Sequence, residues 1–250
     1  EPLRDGPGQS LAAAYEETRA TILGILVDLD GRQLLTVIPA CPAWTARDLV
    51  GHLTGVAGDT LGGRFPAINP HGTWAERQAV VDAHTAGQVT SRRAMRMDEV
   101  LDEWAGHLPR LLAMLRGDEA LPAGSMPAHD WVIVSDIAAH AQDLRGTFHV
   151  PGDRDSAGVA LGLRRYATGA GQRLDRAGLP GLRLCAEGRE DVVGTGSPAA
   201  SVTASRWELF RALGSRRSMS QLRALRWVGD PEPYVALLPV YGPRIADLIE

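Results

Sequence analysis

Apolar residues recur at helical spacing through most of the first 150 positions. In "SLAAAYEETRATILGILVDL" (10–29), Leu11, Tyr15, Ile22, Ile25 and Leu26 share one face, and Ser10 is placed to cap the helix start. A loop through Pro39 and the Cys41-Pro42-Ala43-Trp44 turn leads to "TARDLVGHLTGV". There Thr45 and Asp48 have capping-box spacing, and Leu49, Leu53 and Val56 form the apolar stripe. His52 lies within that stripe and is expected to point inward. The glycine- and proline-rich stretch 58–72 reads as a loop, and 73–95 as a weakly periodic helix. Segment 97–115 is a stronger helix, with Val100, Leu101, Trp104, Leu108, Leu111 and Leu115 on one side and a kink expected at Pro109. "AHDWVIVSDIAAHAQDLRG" (128–146) is the last long helix of this half. Long helices joined by loops predict an antiparallel four-helix bundle over residues 1–150.

The texture changes after "HVPGDRDS". One more helix (156–177) precedes short alternating segments at 182–187, 191–194 and 200–204, which read as strands with a turn at Gly188. Ser205 and Glu208 have capping-box spacing for "RWELFRALG", which Gly214 closes. "LRALRWVGD" reads as a strand, and Asp230-Pro231 opens a final helix toward Leu238. Residues 151–250 are therefore expected to form a small α+β domain behind the bundle.

Composition narrows the classes. A hydrophobic fraction of 44% and a charged fraction of 22% are those of an ordinary soluble protein. All 26 basic residues are arginine, yet the net charge is −4, which argues against a nucleic-acid partner. The pairs Arg92–Arg93, Arg164–Arg165 and Arg216–Arg217 read most simply as solvated faces. Two distant cysteines, Cys41 and Cys185, are no disulfide framework and fit a cytoplasmic location. No apolar run reaches membrane-spanning length, and no signal pattern opens the chain. It begins at Glu1 rather than Met, which leaves room for a short leader or tag before it.

One constellation carries chemistry. Asp136, His140 and Asp143 are spaced i, i+4 and i+7 on the last bundle helix, flanked by Ile133, Ile137 and Leu144. A carboxylate facing a core must be paired or metal-bound. His52 faces inward from another helix, and bundle cores are where facing helices build metal sites. Two histidines and one carboxylate make a catalytic zinc ligand set with an open fourth position. Asp143 is then placed to orient a ligand histidine. From spacing alone, a hydrogen-bonded Asp–His pair and a satisfied core histidine are the commoner reading of these residues. Cys41 is a possible thiolate ligand, although its place in a loop favours simple packing. His71, His84, His107, His129 and His149 are scattered and receive no role; Trp44, Trp104 and Trp131 read as core or pocket wall.

Three blocks, in order, resemble a known family. "CPAWTARDLVGHLTGV", "SDIAAHAQDLRG" and "WELFRALGSRRSMSQLRALRWVGDP" are similar to the second-helix entry, the last-helix signature and the C-terminal module of the mycothiol-dependent maleylpyruvate isomerases. These form a branch of the DinB-like metalloenzymes. The resemblance implies a DinB-like bundle followed by a sterol-carrier-like α+β module. It implies zinc or another divalent metal on His52, Asp136 and His140. The family's characterised isomerase has glutamate as the acidic ligand. Asp136 is one methylene shorter, so the backbone must approach by roughly 1.5 Å, and the geometry of the substrate cavity must differ from that isomerase's.

The activity so implied is zinc-dependent activation of a low-molecular-weight thiol, mycothiol or a similar one, for addition to an electrophilic small molecule. The outcome is isomerisation or S-transfer. Two alternatives remain from the residues alone: a thiol-independent zinc enzyme performing hydrolysis or a biosynthetic rearrangement, and a non-catalytic metal-binding bundle. The expected partners are a small substrate and a small thiol, without nucleic acid or membrane, in a monomer or homodimer.

Overall fold

The computed structural model describes residues 10–67, 74–125 and 129–250. The contacts divide it into two compact units, Ser10–Ile133 and Val134–Glu250. The first is helical and the second mixed α+β, the order that the hydrophobic pattern predicts.

In the first unit, α1 (Leu11–Val27) starts at Ser10, whose side chain accepts from the Ala13 backbone N–H. After a 3₁₀ turn, β1 (Val37–Ile38) pairs antiparallel with β2 (Cys41–Thr45). The expected loop around Cys41–Trp44 is thus a short ribbon, and because both of its strands are edges Pro42 is tolerated in one of them. Next, α2 (Ala46–Gly62) opens on a complete capping box. The Thr45 hydroxyl accepts from Asp48 N–H (3.2 Å), and Asp48 Oδ2 accepts from Thr45 N–H (3.1 Å). It ends at Gly63, whose φ of 63° supplies the left-handed cap.

The stretch 58–72, expected as a loop, is helical as far as Gly62; residues 68–72 lie outside the described part. Tertiary packing overrides glycine's weak helix propensity here. A Cβ on Gly58 would sit 3.0 Å from His107 Nε2, so only glycine admits that neighbour without a shift. Helix α3 (Trp74–Thr90) packs on α2, and α4 (Met97–Arg116) runs through Pro109 and stops at Gly117. Val100, Trp104, Leu111 and Leu115 of α4 are buried, whereas Leu101 and Leu108 are only half-buried. Trp104 Nε1 donates to Tyr15 Oη at 2.9 Å, which satisfies both polar atoms inside an apolar core.

Helix α5 (His129–Phe148) contains the division between the units. In the second unit it is followed by α6 (Ala157–Arg176), β3 (Gly181–Ala186), β4 (Arg189–Val193), β5 (Pro198–Thr203), α7 (Arg206–Leu213), α8 (Met219–Arg223), β6 (Arg226–Val228) and α9 (Glu232–Val235). The sheet order is β4-β3-β5-β6, with β3 parallel to β5 and the other pairs antiparallel. Glu187 and Gly188, both at positive φ, turn β3 into β4. Leu163 and Leu174 of α6, Leu184, Val202, Leu209 and Phe210 lie in one apolar core.

Two expectations change here. The segment 222–230, read as a strand, begins as helix, because the Ser218/Gln221 capping box starts α8 upstream; only 226–228 is extended. At α7, the Ser205 hydroxyl accepts from Glu208 N–H (3.1 Å), but the Glu208 carboxylate accepts from Arg217 instead of closing the box. No helix among the described residues is long and apolar enough to cross a membrane. Cys41 and Cys185 are both thiols.

Candidate functional site

The stripe on α5 forms as its spacing requires. His140 Nδ1 lies 2.9 Å from Asp143 Oδ2 and donates to it, since the ionised carboxylate can only accept. The other ring nitrogen, Nε2, is left outside that bond and lies 3.6 Å from Asp136 Oδ1. That separation is long for a hydrogen bond. It is close to the ~3.3 Å expected between two tetrahedral ligand atoms each about 2.05 Å from zinc. His140 and Asp143 are buried and Asp136 is half-buried.

Asp143 is fully enclosed, and burial by itself would push its carboxyl upward. The charges of Arg216 and Arg211 and the His140 hydrogen bond outweigh that and hold it well below the usual carboxylate range. Arg216 grips both oxygens (Nε to Oδ1 3.0 Å, Nη2 to Oδ2 2.7 Å), and Arg211 Nη2 reaches Oδ1 at 2.7 Å. One helical position before Asp136, the Ser135 carbonyl accepts from the buried Tyr166 hydroxyl (3.5 Å). Burial pushes that phenol up to about 12, so it stays protonated at neutral pH.

In the other unit His52 is buried on α2, as its place in the apolar stripe predicts. Its Nδ1 is 2.8 Å from Gln88 Oε1. The amide orientation follows from its far end, where Gln88 Nε2 donates to Asp59 Oδ2 at 2.6 Å. The amide oxygen therefore faces the imidazole and accepts from Nδ1–H, which leaves Nε2 outside that bond. Asp59 also accepts from Arg64 Nε (2.8 Å) and lies 3.1 Å from His84 Nε2. The Trp44 ring packs at 4.6 Å from the His52 ring, centroid to centroid. Both candidate histidines thus present Nε2 with Nδ1 held by an oxygen acceptor, the arrangement that metal-binding histidines adopt.

Of the remaining sequence candidates, Cys41 lies half-buried in β2 rather than in a loop, and His71 falls outside the described residues. His84 belongs to the Asp59 cluster, His107 pairs with Glu103 (3.4 Å), and His129 lies 3.3 Å from the Thr60 hydroxyl. The reading of Arg216 and Arg217 as a solvated face does not hold. Both are drawn inward by carboxylates, Arg216 by Asp143 and Arg217 by Glu208 and Glu250. Gln88, Asp59 and Arg211 escaped the sequence reading altogether. Only Arg211 left a trace, as an arginine inside the apolar run "WELFRAL".

Residues 15–145 match the family described as the mycothiol maleylpyruvate isomerase N-terminal domain. The chain belongs to that family. The matched span contains His52, Asp136, His140 and Asp143. Among solved structures, a mycothiol-dependent maleylpyruvate isomerase aligns with a TM-score of 0.54 at 18% identity, over 86% of this chain and 92% of that one. A histidine-to-alanine mutant of such an isomerase aligns with a TM-score of 0.52 at 16% identity, over the same shares. The chain shares their fold. No curated protein matches it.

Proposed function

We propose that this isomerase-family member is a metal-dependent enzyme that brings a small thiol, mycothiol or a close analogue, to an electrophilic small molecule, giving isomerisation or S-transfer. The observation that carries this reading is the ligand-ready state of the α5 stripe: His140 with Nδ1 engaged by Asp143 and Nε2 beside the Asp136 carboxylate. His140, Asp136 and, from α2, His52 are the residues that would hold zinc or another divalent cation. A zinc ion so held lowers the pKa of a coordinated thiol and supplies thiolate at neutral pH.

The protein's own groups prepare the reactants. Asp143 and Gln88 engage Nδ1 of each imidazole and leave Nε2 as the atom offered to a metal. Trp44 closes over His52 and limits swinging of the ring. Tyr166 keeps its proton and remains a hydrogen-bond donor close to the Asp136 backbone. Membership in the family and the shared fold support the thiol, and maleylpyruvate with mycothiol is the first substrate pair to assay. The test is metal content of the purified chain and of Asp136→Ala and His52→Ala, followed by turnover with and without thiol. Stoichiometric zinc in the parent, its loss in both variants and thiol-dependent turnover are expected. A metal content unaffected by either substitution, or a rate indifferent to thiol, overturns the reading.

A further inference from the structure

Arg211 is the least expected side chain of the second unit. It sits in α7 among Trp207, Phe210, Leu213 and other core residues, and its side chain has no exposed surface. An arginine in such a place must find partners for its charge and for its N–H groups. Those partners are specific. Nη1 donates to the Ala139 carbonyl (3.1 Å), Nη2 to Asp143 Oδ1 (2.7 Å), and Nε to Glu250 Oε2 (3.0 Å), with a further Nη2 contact to Glu250. Ala139 precedes His140 and Asp143 lies three residues after it, so Arg211 holds the first by its backbone carbonyl and the second by its carboxylate.

A carboxylate has about four acceptor positions. Those of Asp143 are taken by Arg211 and Arg216 Nε on Oδ1, and by Arg216 Nη2 and His140 Nδ1 on Oδ2. Asp143 cannot turn away from His140 without breaking a guanidinium bond between buried side chains. The array is also balanced without the histidine, since Asp143, Glu250 and Glu208 face Arg211, Arg216 and Arg217. We propose that Arg211 is a positioning residue for His140: by clamping Asp143 and the Ala139 carbonyl, α7 of the α+β unit holds the imidazole as the Nδ1–H tautomer with Nε2 toward Asp136. This rests on the reading of His140 as a metal ligand only in its consequence for zinc.

The experiment compares the full chain with Arg211→Met and Arg211→Lys. The second variant keeps the charge and loses the planar fork. Imidazole ¹⁵N shifts of the metal-free proteins report the tautomer, and competition with a chromophoric chelator reports zinc affinity. The parent is expected to show a single Nδ1–H form of His140. The variants are expected to show a mixed population and roughly 10- to 100-fold weaker zinc binding. If Arg211→Met does not fold, Arg211→Lys decides. A folded variant with an unchanged tautomer overturns the proposal. So does failure of both to fold, because Arg211 is then a determinant of the fold alone. If the parent takes no zinc yet its His140 tautomer shifts in the variants, the positioning stands and the proposed metal chemistry falls.

Discussion

Replacing Gly55 by alanine sets two effects of known size against each other. Within a helix, alanine is favoured over glycine by about 1 kcal/mol. At Gly55, however, the added Cβ would lie 2.6 Å from Gln88 Cβ and 2.8 Å from its Cγ, with Arg92 Nη1 at 3.0 Å. Carbon atoms rest at about 3.5–4.0 Å, so α3 must withdraw by roughly 1 Å or Gln88 must leave its rotamer. Overpacking of this kind costs about 1–3 kcal/mol. Displacing Gln88 also strips the acceptor from buried His52 Nδ1, worth a further ~1–3 kcal/mol. The clash and the lost bond outweigh the propensity gain, and the net loss is expected to be about 1–5 kcal/mol. Gly106 in α4 provides the control, because a Cβ there meets nothing within 4 Å. Its replacement by alanine should stabilise by about 1 kcal/mol. For a chain of this size each kcal/mol moves Tm by roughly 2–4 °C. Thermal unfolding followed by circular dichroism should therefore show Gly55→Ala melting several degrees lower and Gly106→Ala a few degrees higher. A Gly55→Ala protein as stable as Gly106→Ala would refute the close α2–α3 approach and the placement of Gln88 with it.

Two further outcomes are expected. Gln88→Leu keeps the volume and removes the amide acceptor, so zinc affinity measured by chelator competition should fall by roughly 10- to 100-fold while the circular dichroism spectrum is retained; unchanged affinity would remove Gln88 from the site. Asp48 is subject to burial, which raises its carboxyl, but the hydrogen bonds from Arg93 and Thr45 outweigh this and leave it below its ordinary value. A depressed folded-state value means stability that is present above the unfolded carboxylate's value of about 3.9 and is lost as pH falls through the folded one. The urea midpoint of the parent should therefore exceed that of Asp48→Asn at neutral pH, and the gap should close as the solution is acidified below about pH 4; a gap that is constant down to acid would show that Asp48 acts without its charge.

The first two long helices were legible because they carry an apolar stripe and a chemically marked start, Ser10 and Thr45 with Asp48. Where the reading went astray, tertiary contacts decide the local structure. The last turn of α2 holds because small residues meet another helix closely, and such a fit leaves no periodic mark. At the candidate site, Asp136, His140 and Asp143 were visible because they share one helix, where spacing translates directly into neighbours. Gln88, Asp59 and Arg211 were not: Gln88 reaches His52 from 36 residues away, Arg211 reaches Asp143 from 68, and Asp59 acts only through the side chain of Gln88, 29 residues from it. The paired arginines 216 and 217 misled for a related reason: charge predicts solvent exposure only when no buried carboxylate waits for it.

The arginine clamp on Asp143 bears on how such proteins can be recombined. A gene fragment ending after α5 would encode the whole acidic and histidine stripe, yet it would leave Asp143 without either guanidinium group that now binds it. The helical segment is therefore not a portable cassette. Any fusion, circular permutation or domain exchange that separates α5 from α7 must bring its own cation for that carboxylate, or accept a histidine whose orientation has lost its support.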